Sequence, residues 1–130
     1  MEPKFSKIVS TQMESAAKKA YPRECCGILV GKKSEKGEIE VTEIREASNQ
    51  IQGGQEATHF RIDPLNLYYI ERELESSNLE IVGFYHSHPD CKAILSDEDR
   101  KYMVPRLIYT ILSVTANGVV DVKSYTRDRV

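Results

Sequence analysis

The ten residues Leu79 to His88, LEIVGFYHSH, decide how the rest of the chain is read. Ile81, Val82, Phe84 and Tyr85 give the β-branched and aromatic content of a core strand, and that strand ends in His86-Ser87-His88. Side chains alternate faces along a strand, so both imidazoles project to one side, about 6–7 Å apart at their backbones. Two nitrogens so placed can converge on one ion. Zinc takes ligands at roughly 2.0–2.2 Å in a tetrahedron, and a catalytic site uses three protein ligands with the fourth position left to water. The third ligand has to come from elsewhere in the chain.

Downstream, a ten-residue gap that begins with Pro89 leads to Asp99 and is long enough to fold back over the histidines. Ser96-Asp97-Glu98-Asp99 reads as a helix start with acidic residues in its first turn, and Pro105 marks the predicted end of that helix. Asp90, Asp97, Glu98 and Asp99 are all carboxylates near the histidines, and local sequence does not choose among them. Ser96-x-x-Asp99 is also a capping box, which needs no metal to explain it. LIYTILSV (107–114), the turn Ala116-Asn117-Gly118 and VVDVKSYT (119–126) then predict a hairpin.

Upstream, Thr11 to Ala20 is rich in helix formers, follows Ser10 as its expected cap, and stops at Tyr21-Pro22. CCGILVGK (25–32), the turn-like SEKG and EIEVTEIREA (38–47) read as two antiparallel strands. Asn49 to Ala57 (NQIQGGQEA) has no period and is assigned to a loop, with a place beside the site left open. Asp63-Pro64 supplies a cap and a proline at the first helical position, and Leu67, Ile70 and Leu74 follow at helical spacing to about Ser77. The fold class is thus mixed α/β (α+β), with a largely antiparallel sheet flanked by helices.

At 130 residues, 40% hydrophobic and 29% charged, the chain suits one soluble globular domain. A net charge of −2 without any basic run argues against nucleic acid as a partner. The longest apolar run, Leu107 to Val114, is too short to span a membrane, and the Met-Glu-Pro-Lys start lacks an export pattern, so a cytoplasmic location is expected. Cys25 and Cys26 are adjacent, which is poor geometry for a bridge, and no C-x-x-C occurs. Adjacent strand residues face opposite ways, so at least one of the pair is expected to be buried as a small apolar side chain, while Cys91 falls in the loop after the histidines. His59 receives no role.

His86-Ser87-His88-Pro89, then Ser96, then Asp99 closely resembles the core motif of the JAMM (MPN-plus) zinc metalloprotease family, in spacing as well as residue type. Pro22 to Gly31 resembles that family's Glu-x-Cys-Gly segment, and Phe60 to Pro64 resembles the segment that opens its central helix. The likeness covers most of the chain in the family's order. It implies a cytidine-deaminase-like JAMM/MPN architecture, His86, His88 and Asp99 as ligands to one zinc ion per chain, Glu24 as general acid and base, and Ser96 as a donor to the reacting oxygen. Without the resemblance, Glu24 reads as an exposed acid before a strand. Leu95 stands before Ser96 where many prokaryotic members resemble Pro-Ser, a departure that does not touch the ligands.

These roles suit amide hydrolysis. Zinc lowers the pKa of bound water from 15.7 to about 7, a carboxylate beside it moves the proton to the departing nitrogen, and a hydroxyl donor meets the charge growing on the carbonyl oxygen. The resemblance implies a peptide or isopeptide substrate bearing the C-terminal Gly-Gly tail of a ubiquitin-like or sulfur-carrier protein. No long insertion of the kind used for gripping ubiquitin chains is visible, so linkage-specific recognition is not expected. The competing reading is a non-catalytic scaffold of the same fold, which the intact set of five site residues argues against. A zinc deaminase would need His-x-Glu and Pro-Cys-x-x-Cys, and neither occurs.

Overall fold

The computed structural model describes residues 2–47, 62–101 and 103–127, with Glu98 described by its backbone alone. Among these residues six strands and three helices run in the order β1 (Lys4–Phe5), α1 (Lys7–Ala20), β2 (Cys26–Lys33), β3 (Ile39–Ala47), α2 (Pro64–Leu74), β4 (Glu80–Pro89), α3 (Asp97–Lys101), β5 (Ile108–Thr115) and β6 (Gly118–Thr126). The loop expected at 49–57, His59 and Phe60-Arg61 lie outside the described residues.

The strands form one sheet in the order β1-β3-β2-β4-β5-β6. β2 pairs antiparallel with both β3 and β4, and β5 with β6, whereas β4 and β5 run parallel. A parallel neighbour cannot be reached by a tight turn. The chain therefore leaves the end of β4 through the 90–96 loop and α3 before it returns at β5, and the histidines stand where that crossover begins.

Alternation along the strands sends neighbouring residues into different layers. Leu29, Val82, Tyr85 and Leu112 pack with Val9, Met13 and Ala17 of α1 on one face. Ile28 and Val30 pack against Ile70 and Leu74 of α2 on the other. Farther along that second face, Ala93, Leu95 and Met103 gather around Tyr109 and Ile111. Phe84 joins both of these latter clusters, so His86 and His88, two and four residues on, point to the same side as α2 and α3. Gly27 lies against Tyr85, and a Cβ there would overlap the buried ring.

Helix α1 starts a turn earlier than the expected Ser10 cap. Ser6 is the cap, its Oγ accepting from the Val9 N–H at 3.1 Å, and Ser10 donates its own backbone N–H to Ser6 O as an interior residue. The extra turn brings Val9 into register with Met13, Ala16 and Ala17, completing the buried stripe. α2 has the expected Asp63 cap and Pro64 but ends at Leu74, the last of its residues in the buried cluster, rather than at Ser77. α3 ends at Lys101, short of Pro105. The β5–β6 hairpin turns at Ala116-Asn117, with Gly118 at φ +118°, a conformation that glycine adopts without strain.

Candidate metal centre

The C-terminal end of β4 brings the two imidazoles together with their Nε2 atoms 3.1 Å apart. His86 is buried on β4 between β2 and β5, and His88 is half-buried beside it. Register explains how Glu24 reaches them from far away in sequence. Cys26 pairs with His86, and one step on the Ser87 N–H donates to Cys25 O at 3.0 Å while the Cys25 N–H donates to Ser87 Oγ at 2.8 Å. One further step in this register sets Glu24 opposite His88. Its side chain is only 6% exposed, so the exposed acid read from local sequence is in fact buried, and its carboxylate lies within 4.8 Å of both ring nitrogens.

Asp99 arrives from the other side, on α3. Its Oδ2 lies 3.4 Å from His86 Nε2 and 3.6 Å from His88 Nε2. The same oxygen accepts the Ser96 N–H at 3.1 Å, and Ser96 Oγ in turn accepts the Asp99 N–H at 2.9 Å. The capping box and the approach to the histidines therefore coexist, and the box aims the carboxylate. Ser96 is exposed, and a hydroxyl that accepts one hydrogen bond still has its own hydrogen to donate. Among the competing acids, Asp90 is held by the Tyr21 hydroxyl, which lies 2.9 and 2.8 Å from its two carboxylate oxygens, and Asp97 is exposed.

The Nδ1 of His88 lies 3.0 Å from the Lys92 carbonyl oxygen. A carbonyl can only accept, so Nδ1 carries the hydrogen in that contact and Nε2 of the neutral ring keeps its lone pair. Burial pulls the His86 imidazole below its ordinary pKa against the pull of Asp99. At His88 burial acts the same way, but hydrogen bonds to Asp99 and Lys92 O and the charges of Asp99 and Glu24 outweigh it and raise the pKa. Burial also opposes the charge on Asp99, yet the two imidazoles and the Ser96 N–H hold that carboxylate ionised well below the usual range.

Whether these atoms suit zinc can be judged from their spacing. His86 Nε2, His88 Nε2 and Asp99 Oδ2 form a triangle with edges of 3.1, 3.4 and 3.6 Å. A tetrahedral ion with bonds of about 2.0–2.1 Å separates its ligand atoms by about 3.3–3.4 Å. The donor set fits, and it leaves the Glu24 carboxylate as a second acid beside the triangle. Thiolates are the poorer candidates: burial pushes the Cys26 thiol up to about 12 and raises Cys25 as well. Cys26 is buried, as expected for one of the pair, and Cys25 packs against the core. Cys91 is exposed.

Sequence reasoning did not find the Lys92 carbonyl or the Tyr21–Asp90 contact. The first is main chain and carries no residue signature. The second joins residues that become neighbours only once the sheet is built.

The family model described as prokaryotic homologs of the JAB domain matches residues 6–128, and the chain belongs to that family. The JAMM/MPN resemblance read from the motifs is thereby established. A desampylase of Haloferax volcanii is 33% identical over 93% of this chain and 82% of its own length. A desampylase of Pyrococcus furiosus is 36% identical over 62% of this chain, and the match spans only about half, 51%, of that relative. Among solved structures, a protein from Desulfitobacterium hafniense superposes with a TM-score of 0.75 at 24% identity, covering 96% of this chain and 90% of its own. A JAB1/MPN domain protein from Archaeoglobus fulgidus does so with a TM-score of 0.60 at 21% identity, covering 97% and 91%. At these identities the two structures speak for the fold, which is JAB1/MPN. Among the described residues no helix is long and apolar enough to cross a membrane.

Proposed function

We propose that this single domain is a zinc-dependent peptidase or isopeptidase that works in the cytoplasm on a bond following the C-terminal Gly-Gly tail of a ubiquitin-like or sulfur-carrier protein. The reading is carried by one observation: three donor atoms at tetrahedral spacing with a second, buried carboxylate within reach. The two desampylases in its family support the substrate class.

His86, His88 and Asp99 would hold one ion, their Nε2, Nε2 and Oδ2 atoms being the three that face one another. When bound, zinc acidifies a water and polarises the scissile carbonyl. Glu24 takes the proton of the attacking water on its carboxylate and delivers it to the leaving nitrogen, a transfer worth about 10²–10⁴-fold. Ser96 donates its hydroxyl hydrogen to the oxygen on which charge grows, and Asp99 N–H holds that hydroxyl from behind.

The test uses a ubiquitin-like protein whose Gly-Gly tail is fused to a short peptide. A strong chelator is expected to lower cleavage at least about 100-fold, and one equivalent of zinc to restore it. Cleavage that survives complete metal removal refutes the reading. No cleavage of any such fusion by zinc-loaded protein moves the chain to the non-catalytic scaffold class.

A further inference from the structure

Three successive carbonyls in the loop after the histidines are each taken by a side chain. Cys91 O accepts from Ser113 Oγ at 2.5 Å, Lys92 O faces His88 Nδ1 at 3.0 Å, and Ala93 O accepts from Tyr125 Oη at 2.6 Å. Ser113 lies on β5 directly across from His88, and Tyr125 lies on β6. Ser113 is 5% exposed, and the Tyr125 ring packs against the Ala93 cluster. The Asp90 N–H donates to Val114 O at 2.7 Å and anchors the start of the loop on β5.

We propose that Ser113 and Tyr125 are positioning residues for the metal centre: by gripping the carbonyls on either side of Lys92 they hold Lys92 O against His88 Nδ1 and direct Nε2 at the ion. The inference rests on the reading of His88 as a ligand. Its physical basis is that a metal-binding imidazole needs its other N–H fixed by an acceptor, which sets both tautomer and ring angle. Here the acceptor is a main-chain oxygen in a loop without helix or strand of its own; it also accepts the Ile94 N–H at 2.8 Å, a contact inside the loop, so its place relative to the sheet depends on what ties the neighbouring carbonyls to β5 and β6. The two hydroxyls bracket it from adjacent strands of the sheet that carries His88.

Long-range proton–nitrogen NMR of metal-free protein at about pH 9 reads the His88 tautomer without reference to activity. Wild type is expected to show Nδ1–H. In the double variant Ser113→Ala, Tyr125→Phe the Nδ1–H share is expected to fall by at least about half, and zinc affinity, read against a coloured chelator, by about tenfold. Ser124→Ala breaks another hydroxyl contact between β5 and β6, Thr110 Oγ1 to Ser124 Oγ at 2.8 Å, without touching the loop, and is expected to change neither. A double variant with the wild-type tautomer and affinity overturns the proposal, as does a Ser124→Ala effect of the same size. If the double variant does not fold, the isosteric Tyr125→Phe alone decides, with a smaller shift in the same direction. Zinc binding that ignores His88→Ala refutes the ligand reading and the proposal with it, whereas the tautomer comparison tests the clamp alone.

Discussion

Glu24→Gln is expected to lower cleavage of a Gly-Gly fusion at least about 10²-fold while zinc content stays at the wild-type level. The amide has nearly the shape of the carboxylate and fits the same buried position, 6% exposed, but it cannot accept a proton from water. Metal content is the informative half of this result, because the Glu24 carboxylate lies within 4.8 Å of the same ring nitrogens as the proposed ion. Were Glu24 the third ligand, an amide in its place would lose much of the zinc. Activity and zinc compared in one sample thus separate proton transfer from coordination. Unchanged turnover in the zinc-loaded variant would remove Glu24 from the mechanism.

The second large effect is expected from the ligands. His88→Ala and Asp99→Ala should each weaken zinc binding by more than about 100-fold, the upper range for groups that only support a ligand. Asp97→Ala and Asp90→Ala should leave zinc in place, since Asp97 is exposed and Asp90 is engaged by Tyr21. In Asp99→Ala the contact between the residue 99 N–H and Ser96 Oγ survives, because it uses the backbone of residue 99, so the start of α3 is retained and the loss is that of the carboxylate. Elemental analysis of the four purified variants checks this. Retention in Asp99→Ala with depletion in Asp97→Ala or Asp90→Ala would show that the wrong acid has been chosen.

Much of this arrangement was legible before any coordinates. The two histidines follow from a short strand whose alternation is fixed by covalent geometry, and the β5–β6 hairpin follows from Asn117-Gly118. The proline and cap at Asp63-Pro64 mark a helix start for equally local reasons. What escaped depends on contacts between distant segments. Ser6 and Ser10 are equally good caps, and only burial of Val9 against the sheet selects the earlier one. β1 is two residues long, and its parallel pairing with β3 leaves no periodic trace. Glu24 looked like a surface acid because its burial comes from the register of β2 against β4. Choosing Asp99 from four acids needed the family resemblance; the structure sets its Oδ2 3.4 and 3.6 Å from the two imidazoles and the Glu24 carboxylate within 4.8 Å of the same nitrogens.

Two imidazole nitrogens and one carboxylate oxygen are expected to bind a single zinc ion. Zinc-edge X-ray absorption of the protein loaded with one equivalent tests it most directly, because the scattering shell tells nitrogen and oxygen from sulfur. The expected spectrum has only light scatterers at about 2.0–2.1 Å, with the imidazole pattern of two histidines, and loses one histidine's share in His88→Ala. A sulfur shell at about 2.3 Å, which Cys25, Cys26 or Cys91 would have to supply, or a histidine pattern unchanged in His88→Ala, would contradict it.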